Sequence, residues 1–341
     1  MKSIRSRLAA GLSGLVALSA HAVVPLPALN VDTTDITVSG MSSGAAMAVQ
    51  LGYAYSATFK GVGVFAGSPY SCQDHYVYTN CQNNSTIGDA MLATMQADID
   101  AWSGSGIDAK SGVASQKVYV FVGSSDTVVG PRPMQAVQAQ YTANGVAQAA
   151  LVQSARTAHV FPTDFNATGD NRCNLSLSPY IANCGYDGAK AVLTQFYGTL
   201  QARNNAPAAA QYIEFSQAEF TSNPGMAPTG WVYVPAACAS GNRCRLHVVF
   251  HGCAQGYSMI GDKFVKNTGY TRWADTNDII VLFPQARADY TAYATPANGT
   301  ISNPNGCWDT LGFYGADYAQ KSGAQLRAIK AMVDRLAAAS H

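Results

Sequence analysis

The sequence predicts an α/β protein with a mostly parallel central sheet covered by helices on both faces. Three observations carry this expectation. The apolar runs KVYVFV (117–122), RLHVVFHG (245–252) and DIIVLFPQA (278–286) read as strands buried on both sides. Stretches with helical spacing alternate with them. Hydrophobic residues make up 48% of 341, enough for a large core.

The elements follow in order. Asp35–Ser39 is a short β-rich run that stops at Gly40. From Ser43 to about Phe59 the pattern turns helical, with Met47, Leu51 and Tyr55 at i+4 steps. Lys60–Gly67 is a second apolar run, and KVYVFV the next. Pro131–Tyr141 reads as a helix with proline in its first turn. A run from Leu151 leads to Ala158-His159, and Asp187–Leu200 is helical again. GWVYVP (230–235) and RLHVVFHG are strands, and a helical stretch spans about Ile260–Thr276. After DIIVLFPQA, Tyr318–Ala339 forms a long amphipathic helix. The Ala/Asn/Pro-rich stretch 203–210 fits a domain boundary or one long loop; the preferred reading is a single catalytic domain over 23–341.

Residues 1–22 read as a secretory signal peptide: Lys2, Arg5 and Arg7, then an apolar Leu8–Ser19, then Ala20-His21-Ala22. No other stretch reaches membrane length without polar interruption. Charged residues are 12%, about half the usual share, and the net charge is +1. With no basic run, no nucleic-acid partner is expected. A monomeric, secreted protein acting on a neutral substrate is the expectation.

Eight cysteines in an exported chain imply disulfides. Spacing suggests Cys72–Cys81, Cys173–Cys184 and Cys238–Cys244, and elimination leaves Cys253–Cys307. No C-x-x-C occurs, so neither zinc nor another metal is expected.

Gly40-Met41-Ser42-Ser43-Gly44 is G-x-S-x-G between a strand and a helix, the context of a nucleophile elbow. Ser42 is then the nucleophile, and Ser43 offers its backbone N–H to an oxyanion. A serine hydroxyl needs a base, and the base an orienting carboxylate. Hydrolases of this kind supply them in the order Ser, acid, His. Asp126 ends the strongest strand after the elbow, and His159 follows in a loop-like context. Among rival histidines, His75 precedes any acid-bearing strand and His247 sits inside a strand. His251-Gly252-Cys253 has another use. Strand-then-HG marks the oxyanion loop of esterases, which normally precedes the nucleophile. Here it follows, as a circular permutation would place it, and the Cys253 N–H becomes the second donor.

VSGMSSGAAMAVQLGYAYSATFKGVGVFAGSPYSC, VGSSDTVVGP, AHVFPTDFNATGDNRC, LHVVFHGCAQ and SNPNGCWD together resemble the secreted poly(3-hydroxybutyrate) depolymerases, most closely the single-domain, circularly permuted type. The resemblance covers nearly the whole mature chain. It implies an α/β-hydrolase fold, a Ser42–His159–Asp126 triad, oxyanion donors at Ser43 and Cys253, a polyester substrate and no cofactor. It also implies a substrate contact at Trp308. The family pattern there reads Cys-Trp-Asp-Trp, and this chain has Cys307-Trp308-Asp309-Thr310, which removes a flat apolar wall. The competing expectations are a secreted carboxylesterase for aromatic polyester, feruloyl or acetyl esters, and a non-catalytic binding protein on a decayed hydrolase fold.

Overall fold

The structure, a computed structural model, describes residues 23–338. The expected signal peptide lies outside the described residues. Eight strands form the central sheet: β1 Val31–Met41, β2 Phe59–Phe65, β3 Lys117–Gly123, β4 Ala149–Ser154, β5 Tyr212–Ser216, β6 Thr229–Tyr233, β7 Cys244–Phe250 and β8 Ile279–Phe283. Their spatial order is β4-β3-β2-β1-β7-β8-β6-β5. Pairs from β4 through to β8 are parallel, and β6 turns antiparallel against β8 and β5. This is a circularly permuted α/β-hydrolase sheet: β7, late in the chain, lies directly beside β1. Residues 203–210 lead into β5, an edge strand of this same sheet.

Five helices of ten or more residues accompany the sheet: α1 Ser43–Ala54, α2 Asp89–Trp102, α3 Pro131–Ala143, α4 Gly188–Tyr197 and α5 Ala324–Ala337. The pleat of β2 separates its two faces. Val62 lies toward Gly52 of α1, while Gly61 and Gly63 lie against Phe196 and Val192 of α4. Val38, Val62, Val120, Val248 and Leu282 are fully buried at the sheet centre. Removing a large side chain from such a core costs about 2–5 kcal/mol, since neighbours refill the space only in part.

Several boundaries differ from the sequence expectation. α1 ends at Ala54, because Phe59 is taken up by β2 beside β1. The stretch expected as one helix over Ile260–Thr276 is broken into Lys263–Asn267 and Tyr270–Ala274, with the positive-φ Gly269 between them. α5 starts six residues later than Tyr318, at Ala324. The segment before it bonds elsewhere: Tyr70 donates to the Ala319 carbonyl and the Lys321 N–H to the Gly106 carbonyl. Unexpected elements are α2, β5, a hairpin of Asp289–Thr295 with Gly299–Asn303, and a small sheet of Phe161–Thr163, Asn171–Arg172 and Ile181–Asn183.

Candidate active site

The candidate residues gather at the carboxyl ends of the parallel strands, where open α/β sheets present their sites. Ser42 follows β1, Asp126 follows β3, His159 follows β4 and Cys253 follows β7.

The elbow is tight. Ser42 has φ 56° and ψ −122°, a conformation L-residues seldom adopt. Its N–H donates to the Phe65 carbonyl of β2 at 2.9 Å, and its carbonyl opens α1 by accepting from Ala45 and Ala46. The flanking glycines are required by close approach. A Cβ on Gly40 would stand 2.2 Å from the Gly44 carbonyl oxygen, and one on Gly44 would stand 2.3 Å from that of His251. Gly44 thus lets the end of β7 press against the elbow.

His159 Nδ1 and Asp126 Oδ2 lie 2.8 Å apart, both groups almost wholly buried. The other carboxylate oxygen, Oδ1, accepts from the Val128 and Val129 N–H groups, each at 2.9 Å. Burial works to raise the Asp126 pKa. The His159 bond and charge, with the two amides, outweigh it and hold the carboxyl below its ordinary value. The loops bearing acid and base are stitched together: Ser125 N–H donates to Thr157 O, and Arg156 N–H to Ser124 Oγ. The His159 N–H donates to Ser176 Oγ at 3.0 Å.

Ser42, Ser43, His159 and Cys253 line one cavity of about 540 Å³. Ser43 is the first residue of α1, so its amide sits at the positive end of the helix dipole. The peptide joining Gly252 to Cys253 is held by His251. Its Nε2 accepts from the Ala286 N–H at 3.1 Å, so Nδ1 carries the proton and donates to the Gly252 carbonyl at 2.7 Å. A trans peptide points N–H opposite to C=O, so fixing that carbonyl also fixes the direction of the Cys253 N–H. Burial lowers the His251 pKa to about 4, the Gly252 bond only partly opposing it. The ring is neutral at pH 7.

Disulfides join Cys72 to Cys81, Cys173 to Cys184, Cys238 to Cys244 and Cys253 to Cys307. The last ties the loop after β7 to the 307–310 segment. Trp308 borders the cavity but is fully buried. Its indole N–H donates to the His251 carbonyl at 2.9 Å, and its ring packs on Phe250 and His251. Its observed contacts support the loop from behind. Thr310 lines the cavity, almost buried.

The rival histidines have other partners. His75 pairs with Asp98 at 2.7 Å, outside this group of residues. His247 is fully buried in β7, its ring nitrogens bonded to the Thr37 and Ser39 hydroxyls. Sequence reasoning missed Ser176 and Gln255, which contact His159 and Gly252. No sequence signal marks either, because their partners come together only in the folded chain. Among the described residues, three carboxylate and sulfur groups that cluster closely are Cys238, Cys244 and Asp278, and the two cysteines are disulfide-bonded. No helix among the described residues is long and apolar enough to cross a membrane.

An elbow serine, a carboxylate-bonded histidine and a neighbouring amide loop on a permuted sheet define the class: a serine ester hydrolase of the α/β-hydrolase fold. Comparison with known proteins narrows this. No family model matches the chain. It is 47% identical over 330 residues to a polyhydroxybutyrate depolymerase of Talaromyces funiculosus, covering 95% of this chain and 96% of that protein. It is 44% identical over 328 residues to a poly(3-hydroxybutyrate) depolymerase of Delftia acidovorans, covering 93% of this chain and 63% of that protein's length. The solved structure of a PHB depolymerase from Penicillium funiculosum superposes with TM-score 0.89 at 46% identity, covering 92% of this chain and 99% of the other. A serine-to-alanine PHB depolymerase complexed with an R3HB trimer matches with the same values. The chain belongs to the polyhydroxybutyrate depolymerase family.

Proposed function

We propose that this chain is a secreted, monomeric esterase that hydrolyses poly(3-hydroxybutyrate)-type polyester through a Ser42–His159–Asp126 triad, with residues 23–341 as one catalytic unit. The observation that carries the reading is the buried Asp126–His159 bond of 2.8 Å, opening on the same cavity as the Ser42 elbow. Family membership supports the substrate class, as does the R3HB trimer held by a relative. Four disulfides support an exported protein.

In the mechanism, Asp126 holds the His159 Nδ1–H and leaves Nε2 to act as base. His159 takes the Ser42 proton as Oγ attacks the ester carbonyl. The Ser43 and Cys253 N–H groups stabilise the tetrahedral oxyanion. The alcohol end of the chain leaves, protonated by His159. Water, activated by the same imidazole, then attacks the acyl-Ser42 ester and frees the acid end. Trp308 backs the oxyanion-side wall, and the cavity volume suits a short stretch of polyester.

The test is hydrolysis of emulsified poly(3-hydroxybutyrate) beside soluble aryl, feruloyl and acetyl esters, with product analysis and a Ser42→Ala control. Clearing of the polymer with loss in Ser42→Ala is expected. Activity confined to the small esters would make this a general carboxylesterase. No reaction with a fluorophosphonate probe would point to a binding protein.

A further inference from the structure

Gln255 occupies a junction that neither the triad nor the oxyanion donors explain. Its side chain is 1% exposed, and each of its polar atoms is bonded. Oε1 accepts from the Gly252 N–H at 2.7 Å. Nε2 donates to the carbonyls of Pro179 at 2.9 Å and Tyr180 at 3.2 Å. The first contact lies on the oxyanion side, one residue before Cys253. The second lies on the base side. Pro179 and Tyr180 belong to the loop closed by Cys173–Cys184, whose Ser176 Oγ accepts from the His159 N–H. The Tyr180 ring also stands edge-on to His159, centroids 6.4 Å apart. Buried loop backbone must find partners. Here one amide, with an acceptor and two donors in one plane, satisfies three such groups from two separate loops.

We propose that Gln255 is a positioning residue for the ester hydrolysis: it registers the Gly252–Cys253 peptide against the loop that seats His159. The inference rests on the roles given above to Cys253 and His159. The oxyanion donor and the base must reach one tetrahedral centre together. A misplacement of about 1 Å costs roughly 100-fold in rate.

Gln255→Met keeps the length of the side chain and removes all three bonds. On a soluble short-chain aryl ester its kcat should fall about 10- to 100-fold, with KM held within about threefold. Labelling by a fluorophosphonate should slow in parallel, since its phosphoryl oxygen enters the same hole. Gln255→Glu keeps the acceptor for Gly252 and gives up at least one donor, so a smaller fall in kcat is expected. Thermal midpoints set an assay temperature at which each variant is folded; if Gln255→Met does not fold, Gln255→Glu carries the test alone. Unchanged kcat, or a raised KM with kcat intact, overturns the proposal. Ser42→Ala and Asp126→Asn in the same assay separate the two levels. If they are inert while the Gln255 variants match wild type, only the positioning role fails. If they keep wild-type turnover, the triad reading fails.

Discussion

The base side and the oxyanion side of the cavity each contribute a buried histidine, and the two are wired in opposite ways. His159 is bonded through Nδ1 to a carboxylate. His251 is bonded only to backbone, donating to Gly252 and accepting from Ala286. A carboxylate holds the Nδ1 proton and leaves Nε2 free to take up another, as general-base chemistry demands. Burial without a charged partner disfavours that uptake, which is why the His251 pKa drops to about 4. On the proposed mechanism, one residue type serves as a base on one wall and as a neutral strut on the other. The partner atom decides the role.

The base side should show the largest effects. Ser42→Ala should lower kcat by roughly 10⁴- to 10⁶-fold, measured as initial rates on a soluble ester. Ser43→Ala keeps its amide and should lose less than about tenfold. Equal losses would erase the distinction between a side chain used for attack and an amide used for the oxyanion.

Next comes Asp126→Asn. It preserves the shape and the acceptor for the Val128 and Val129 amides but removes the charge that selects the His159 tautomer. A fall of about 10⁴-fold in kcat is expected. A loss below tenfold would mean that His159 needs its carboxylate no more than His251 does.

On the oxyanion side, His251→Phe should lower kcat by about 10- to 100-fold, because the Gly252–Cys253 peptide loses its anchor while the triad stays whole. The pH midpoint of kcat/KM should not move. A shifted midpoint would make His251 a proton carrier and dissolve the contrast.

The base side and the elbow were legible in the sequence; the strut was not. KVYVFV, RLHVVF and IIVLF declare themselves because β3, β7 and β8 are buried on both faces. The elbow declares itself because glycines are forced at Gly40, where β1 folds back on the start of α1, and at Gly44, where the end of β7 meets α1. Cysteine spacings of 9, 11 and 6 coincide with local pairs in the structure. By contrast, α2 is unexpected, although Met91, Leu92, Met95, Ile99 and Trp102 recur at helical spacing and pack inward, with only Met95 and Ile99 fully buried. The 289–303 hairpin is largely exposed and shows no clean alternation. His251 reads in sequence as part of an HG motif, yet its tautomer depends on Ala286, 35 residues on. Trp308 is expected from the family resemblance as a substrate contact; it borders the cavity, and its indole N–H donates to the His251 carbonyl, a bond that no sequence signal announces. Such roles are set by partners that only the tertiary structure supplies.

The smallest effect tests the neutrality of the strut itself. A histidine in the unfolded chain takes up its proton near pH 6.5, whereas His251 resists until about pH 4. Between these values the unfolded state binds the extra proton. The stability that neutral His251 confers is therefore complete above pH 6.5 and drains away as pH falls toward 4. The slope is at most about 1.4 kcal/mol per pH unit. His247, pushed to about 3 by burial, adds a similar slope that continues to lower pH. Asp74 and Asp309, pushed up to about 7 and 6 by burial, work in the opposite direction. All three remain in His251→Phe and cancel when the two proteins are compared. Urea unfolding from pH 4 to 8 should then give a wild-type-minus-variant stability difference that grows with pH up to about 6.5 and is flat above it. A difference flat throughout would mean that the fold leaves the His251 pKa unshifted, and one that falls as pH rises would mean a ring charged in the fold, which could not accept from Ala286 while donating to Gly252.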